Sequence, residues 1–216
     1  MSVDRMPVLQ ARTHVVYPDR SDKTQFYQDR AKFIFINISE AKDTAKAYLD
    51  LKDRVMPRDG WALLNFTKAD LLASQAWIGL LMVEDGLGAA TAAAGMHIVR
   101  QGDGTARLQG VVTDPAFRQR GFCSTLLNAV LDRLHKGLRI ETVDLVVRIM
   151  ADGSINERAF NVFYEAGFRP VEDMRIAWSG MACDQHLQAS LDARGTHYRA
   201  RKMTLRLAGA ASGDRT

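Results

Sequence analysis

The sequence lacks the long apolar run that a membrane-spanning helix needs. No stretch of the 216-residue chain approaches the ~20 consecutive apolar residues that cross a bilayer. Its first residues, MSVDRMPVLQARTHVV, mix acidic and basic side chains and hold no apolar core of the kind found in a secretory signal peptide. We therefore expect neither a membrane protein nor a secreted one.

Cysteine is also scarce, and so is excess charge of either sign. Cys123 and Cys183 are too few for a disulfide framework, which favours a reducing compartment and predicts a cytoplasmic protein. The net charge of +4 suits an anionic ligand but is too small to indicate nucleic-acid binding.

The composition is that of an ordinary globular chain. Apolar residues make up 47% and charged residues 25%, and the length suffices for one well-packed domain but not for two. Residues 1–30 are polar, with few apolar repeats. We predict an N-terminal extension over 1–30, one folded domain over 31–207 and a flexible tail over 208–216.

Apolar periodicity predicts an α/β domain with a mixed, mostly antiparallel central sheet flanked by helices. The predicted strands are 32–38, 77–83, 94–100, 106–113, 142–150, 168–178 and 198–207, and the predicted helices are 40–49, 68–74, 122–136 and 156–166, with 184–193 open as a further helix. Gly137 is predicted to end the third helix. The alanines of 89–94 favour helix by propensity, so the strand there is predicted to begin only at Ala94.

The segment Val111–Ser124 combines a strand, a turn with basic and small residues, and a helix start. Free N–H groups at a helix N-terminus bind anions. Gly121 lets a ligand approach the backbone, while Arg118 and Arg120 add positive charge. This pattern predicts a phosphate or pyrophosphate ligand, and an ordinary turn with surface arginines is the alternative. No P-loop is present, and Gly86-Leu-Gly88 lacks the third glycine of a dinucleotide site, where Thr91 stands.

Two motifs of this sequence resemble those of the GNAT N-acetyltransferase family. The run Arg118-Gln-Arg-Gly121-Phe-Cys123 is similar to the family's Gln/Arg-x-x-Gly-x-Gly/Ala loop, with Cys123 at the last small position. Asn156-x-x-Ala159 followed by Gly167-Phe168 is similar to its second motif, at the family's spacing. The resemblance covers about residues 31–206.

The resemblance implies an acyl-CoA site. In the family, loop amides hold the CoA pyrophosphate, and the pantetheine arm pairs with the end of the preceding strand like an added strand. The implied CoA-binding residues are Val111, Val112, Thr113, Arg118, Gln119, Arg120, Gly121, Phe122, Cys123, Ser124, Asn156 and Phe163.

The family's reaction is direct attack by an amine, so neither Cys123 nor Ser124 is expected to be a nucleophile. A tyrosine usually protonates the leaving thiolate, but Phe163 holds the matching position and Tyr164 follows it. One helical step turns a side chain by ~100°. Either Tyr164 reaches the site through a local distortion, or the thiolate leaves without a phenol.

His97 is the candidate base. A hairpin centred on Gly102–Gly104 places His97 opposite Gln109 or Gly110, near the expected thioester, and histidine titrates in a suitable range. A structural histidine, with a water chain acting as the base, is the alternative.

The resemblance implies an N-acyltransferase that moves an acetyl or other short acyl group from acetyl-CoA or a similar thioester to a small-molecule or peptide amine. No metal, membrane or nucleic-acid partner is expected, and the sequence leaves open whether the protein forms a homodimer. We expect the segments 55–66, with Trp61, and 179–197 to select the acceptor. A degenerate CoA-binding regulatory module without catalysis and a sensor of phosphorylated ligands are the alternatives.

Overall fold

The computed structural model describes residues 31–40, 42–59, 71, 76–84, 89–102, 104–150, 152–177, 191 and 194–207. Within them lie the strands β1 (Ala31–Asn37), β2 (Trp77–Glu84), β3 (Ala90–Gly102), β4 (Thr105–Thr113), β5 (Thr142–Ile149), β6 (Arg169–Ala177) and β7 (His197–Arg206), and the helices α1 (Lys42–Asp59), α2 (Phe122–Leu138) and α3 (Glu157–Glu165). No described helix is long and apolar enough to cross a membrane.

The seven strands form one sheet in the order β1-β2-β3-β4-β5-β7-β6. Every neighbouring pair is antiparallel except β4 and β5, which run parallel. The predicted mixed, mostly antiparallel sheet flanked by helices is therefore confirmed.

The parallel pair positions the site. β4 and β5 pair only at their first residues, where Thr105–Arg107 lie beside Thr142–Asp144. β5 then pairs with β7 along its whole length, from Thr142 to Ile149. Beyond Arg107 the two parallel strands separate, so an opening lies within the sheet itself.

The helices pack on opposite faces of the sheet. A Cβ at Gly95 would lie 2.9 Å from Tyr48 of α1, and a Cβ at Gly79 would lie 2.6 Å from Val130 of α2. Both strand positions are glycine because a helix approaches the backbone closely there. We call these the α1 face and the α2 face. Each buries an apolar cluster, and a fully buried leucine such as Leu126 contributes about 1.5–3 kcal/mol.

Three boundaries differ from the prediction. β3 begins at Ala90, because Ala92 and Ala94 pair with β2 and lie buried in the sheet, where packing overrides their helix propensity. Gly137 lies inside α2, which ends at Leu138 with Arg139 in the left-handed conformation as its cap. α1 continues to Asp59, so 55–59 are helical rather than part of a loop.

Several predictions concern parts of the chain outside the described residues. These are the extension 1–30, the tail 208–216, most of the helix 68–74 and most of the segment 184–193. Leu71 is helical, as predicted. Leu191 makes an isolated antiparallel bridge with Tyr198 instead of belonging to a helix.

Candidate active site

A cleft of about 940 Å³ fills the gap between β4 and β5. Its walls are residues 107–113 of β4, 145–148 of β5, 174–177 of β6 and several positions from 154 to 163 around α3. Val55 on the α1 face and Cys123 on the α2 face both line it. The cleft therefore has walls on both faces of the sheet.

A bulge in β4 shapes one wall of this cleft. Gly95 pairs with Val112 and His97 with Gln109, so Met96 alone faces both Gly110 and Val111. Gly110 has a φ of +54°, a conformation that glycine adopts without strain. Its carbonyl oxygen accepts a hydrogen bond of 2.7 Å from the Tyr48 hydroxyl. α1 thus fixes the strand where it leaves β5.

Polar contacts also fix the turn after β4. The Asp114 carboxylate accepts hydrogen bonds of 2.9 Å from the Ala116 N–H and from Nε of Arg54. Nε of Arg118 donates to the Thr113 carbonyl at 3.2 Å. These bonds join the turn to α1 and to the strand end, so its backbone is held in place before any ligand binds.

The backbone of this turn opens toward a small cavity. Gln119 and Gly121 have φ values of +59° and +78°, and no side chain caps the N-terminus of α2. The cavity has a volume of about 230 Å³, and Gln119, Gly121 and Ser124 line it together with Phe122 and Cys123. N–H groups directed into such a concave turn suit a phosphate or pyrophosphate group.

Cys123 carries no reactive thiolate. Burial raises the pKa of its thiol, and a hydrogen bond with Thr113 only partly opposes that shift. This shift is opposite to the lowered pKa that a helix N-terminus can give, and Cys123 lines both cavities as a small residue beside the loop.

Most of the predicted binding residues lie along the two cavities. The large cleft is lined by Val111, Val112, Thr113, Arg118, Cys123, Asn156 and Phe163, and the small cavity by Thr113, Gln119, Gly121, Phe122, Cys123 and Ser124. Arg120 lines neither. The side-chain oxygen of Asn156 accepts a hydrogen bond of 3.3 Å from the Ala159 N–H and caps α3.

His97 faces Gln109, as the hairpin predicted, but it does not line the cleft. Only 3% of its surface is exposed. Its Nε2 lies 2.8 Å from Oε1 of Gln109, and its Nδ1 lies 3.3 Å from the Tyr48 hydroxyl. Desolvation lowers its pKa to about 4, so the ring is neutral at pH 7. The geometry gives His97 the role of holding Gln109, which does line the cleft, rather than of touching an amine.

Tyr164 lies outside the cleft. It is 47% exposed, its ring stacks on Phe160 at 5.9 Å, and the Arg169 guanidinium lies 4.3 Å above it. α3 is regular through both positions, so the one-residue offset directs Tyr164 to solvent while Phe163 is buried against Phe168. The local distortion that would bring Tyr164 to the site is not present.

Three charged or polar residues stand out among the cleft residues that the sequence analysis did not identify. Arg107, Arg148 and Tyr198 all line it, and Arg148 lies over the Tyr198 ring at 5.0 Å. They come from three different strands, and no local motif marks them. Only the sheet register brings them together.

Comparison with known proteins agrees with this geometry. The family model for the acetyltransferase (GNAT) family matches residues 20–168, more than half of the chain. No curated protein sequence matches significantly.

Solved structures share the fold at low identity. The ribosomal-protein-S18-alanine N-acetyltransferase of Escherichia coli is 18% identical with a TM-score of 0.56, over 83% of this chain and 97% of its own. A putative N-acetyltransferase of Lactobacillus plantarum is 16% identical with a TM-score of 0.54, over 82% and 99%. A spermidine N-acetyltransferase variant of Vibrio cholerae is 12% identical with a TM-score of 0.53, over 82% and 94%. The chain belongs to the GNAT acetyltransferase family and is an acyl-CoA-dependent N-acetyltransferase, whose activity is acyl transfer to an amine.

Proposed function

We propose that the protein transfers an acetyl or other short acyl group from acetyl-CoA to a small-molecule or peptide amine by direct attack. The observation that carries this proposal is the position of the anion-accepting turn, whose cavity shares Thr113 and Cys123 with the cleft through the sheet. A pyrophosphate at the turn would leave the rest of an extended ligand to run into that cleft.

The free edge of β4 supports the proposed position of the pantetheine arm. β5 pairs with β4 only as far as Arg107, so β4 presents backbone groups to the cleft from Leu108 to Thr113. An extended amide-bearing chain can pair with such an edge as an added strand. Val111, Val112 and Thr113 would form this edge, and Asn156 and Phe163 of α3 would line the opposite side.

Acetyl-CoA supplies a thioester that an amine can attack, with a thiolate as the leaving group. The protein's contribution is to orient the two reactants. Glu157, the one carboxylate among the described lining residues, is exposed in the first turn of α3. We therefore propose that the amine loses its proton to water and that the thiolate leaves without receiving a proton from Tyr164.

We also propose a cytoplasmic location, which the scarcity of cysteine supports.

The test compares binding and turnover. Acetyl-CoA should raise the thermal midpoint, because a ligand at 100 times its Kd stabilises the folded state by about 2.7 kcal/mol. ATP should raise it much less. Release of free CoA thiol is then followed across a panel of amines, including polyamines, amino acids and N-terminal peptides.

Each outcome separates one alternative. Stabilisation by acetyl-CoA without thiol release for any amine would support a degenerate CoA-binding module. Equal stabilisation by ATP and acetyl-CoA would support a sensor of phosphorylated ligands. Neither stabilisation nor consumption of acetyl-CoA would contradict the proposed function altogether.

A further inference from the structure

Tyr198 is a buried tyrosine whose hydroxyl has no hydrogen-bond partner among the described residues. Only 3% of the residue is exposed, yet it lines the cleft, and its Oη makes no hydrogen bond with any residue of the described chain. Buried hydroxyl groups in native proteins are nearly always hydrogen-bonded. An orphaned donor in a cleft wall therefore suggests that a ligand supplies the missing acceptor.

Two arginines surround this hydroxyl. The Arg148 guanidinium lies 5.0 Å from the centre of the Tyr198 ring, and Nε of Arg107 is buried without a hydrogen-bond partner among the described residues. Burial raises the pKa of Tyr198 to about 12 even though both arginine charges oppose that shift. The phenol thus stays protonated at neutral pH and can donate its hydrogen to an acceptor.

The three side chains lie on one face of the sheet. Arg107 is two residues from Gln109, whose side chain contacts His97 on the α1 face. Side chains two residues apart on a strand share a face. Arg148 pairs with Ala200, which is two residues from Tyr198. The phosphate-accepting turn begins at Thr113, beside Cys123 on the α2 face, so the cluster lies across the cleft from it.

The carboxylate that lies beside Arg107 in the sheet register already has partners. Asp144 pairs with Arg107 in the sheet register, but its two oxygens lie 3.2 Å from Nζ of Lys202 and 2.6 Å from Oγ1 of Thr204. Asp144 is therefore largely satisfied by β7. The cluster presents positive charge and an O–H donor to the cleft.

We propose that Arg107, Arg148 and Tyr198 form an anion subsite that binds a carboxylate on the substrate entering from the α1 face. Guanidinium groups bind carboxylates through paired N–H···O bonds, and the Tyr198 hydroxyl supplies one more donor. The inference rests on the proposed function and names its substrate class: an amine that also carries a carboxylate. A carboxylate on the acyl group, as in succinyl-CoA, is the other source of the same chemistry.

The experiment uses matched substrates with the full-length protein. In one arm, amino acids are compared with their C-terminal amides, with acetyl-CoA as donor. In the other arm, succinyl-CoA is compared with acetyl-CoA, with an uncharged amine as acceptor. We expect kcat/KM to favour the carboxylate by about tenfold to a hundredfold in one arm, since a site built to pair a polar group discriminates strongly against its absence.

Substitutions in the subsite test whether these side chains cause the carboxylate preference. Arg107→Gln and Tyr198→Phe should each reduce it to about threefold or less, mainly through KM, because they remove donors without changing the acyl-transfer step. Arg206→Gln is the matched control: it removes the same charge from an exposed position of β7 outside the cleft and should keep the preference. Thermal midpoints of all variants verify folding.

Three results would overturn the subsite. The first is absence of a carboxylate preference in both arms. The second is an equal loss of kcat for carboxylate and amide acceptors in Tyr198→Phe, which would indicate proton transfer instead of binding. The third is an unchanged carboxylate preference in Arg107→Gln.

If acetyl-CoA itself fails to bind, the proposed function fails separately. Titration calorimetry with the amino acid and its amide then tests the subsite without turnover, and equal affinities would overturn it.

Discussion

Replacing Gly121 by alanine tests the phosphate-accepting turn most directly. Gly121 has a φ of +78°, and an L-residue in the left-handed region costs about 1–2 kcal/mol. Alanine also restricts the unfolded chain more than glycine does, and this offsets about 0.4–1 kcal/mol of that cost. We therefore expect a net destabilisation of about 1 kcal/mol, which lowers the thermal midpoint by about 2–4 °C for a chain of this size.

The effect on ligand binding should be much larger. A Cβ at Gly121 meets no atom within 4 Å, so it projects into the open space beside the first N–H groups of α2. A phosphate must approach those N–H groups within hydrogen-bonding distance, and the methyl group would hold it away. Loss of one charge-assisted hydrogen bond costs about 1.5–3 kcal/mol, so acetyl-CoA should bind about ten to a hundred times more weakly.

Gly195→Ala is the matched control. Gly195 has a φ of +67°, equally open space around its Cβ position, and no place in either cavity. Calorimetric titration with acetyl-CoA and a thermal midpoint are measured for both variants. The two should lose similar stability, and only Gly121→Ala should lose affinity. Equal affinity in the two variants would refute the assignment of the turn as the pyrophosphate site.

Three further predictions concern the residues around the cleft. Because the folded pKa of His97 lies near 4 against an ordinary value of 6.5, its contribution to stability is present above pH 6.5 and is lost as the pH falls toward 4. Between pH 7 and pH 5 the free energy of unfolding of the wild type, measured in urea, should fall by about 2 kcal/mol more than that of His97→Gln. Equal decreases in the two proteins would contradict this prediction. Tyr164→Phe should keep kcat/KM within about twofold in the thiol-release assay, since the hydroxyl lies outside the cleft; a tenfold fall would restore Tyr164 as the acid. Arg54→Met should destabilise the fold by about 1–2 kcal/mol because it leaves the largely buried Asp114 carboxylate without its ion-pair partner. Lys46→Met removes an exposed ion pair and should cost under about 0.5 kcal/mol. Chemical denaturation measures both free energies of unfolding, and equal effects would argue against a structural role for the pair of Arg54 and Asp114.

Local patterns were sufficient for most of the strands and helices. The almost continuously apolar segment 142–150 predicted a strand, and the structure forms β5 there and buries six of the seven residues from Val143 to Ile149. The glycines at 102 and 104 set the hairpin, and a tight hairpin fixes the register of its strands. This is why the pairing of His97 with Gln109 could be predicted from the sequence.

Other features depend on packing that no local pattern contains. The alanines before Gly95 favour helix by propensity, but Ala92 and Ala94 pair with β2, Ala94 also pairs with β4, and Ala92, Ala93 and Ala94 are buried, so the segment forms a strand. Whether a histidine in a strand reaches a cleft depends on which helix covers it, and here Tyr48 of α1 does. The cluster of Arg107, Arg148 and Tyr198 depends on the order of strands in the sheet, which places β7 beside β5.

The cleft has lining residues on both faces of the sheet, and this arrangement bears on the chemistry. The turn before α2, where we propose that the phosphate binds, lies beside Cys123 on the α2 face, while Tyr198 and Arg148 line the cleft on the α1 face. Two substrates can therefore approach each other from opposite sides without competing for the same groups. Direct transfer needs both reactants present together, and a groove on a single face would force them to share one entrance. Because α1 holds Gly110 in the β4 bulge and Asp114 in the turn after β4, a shift of α1 would change the width of the gap where the two substrates meet.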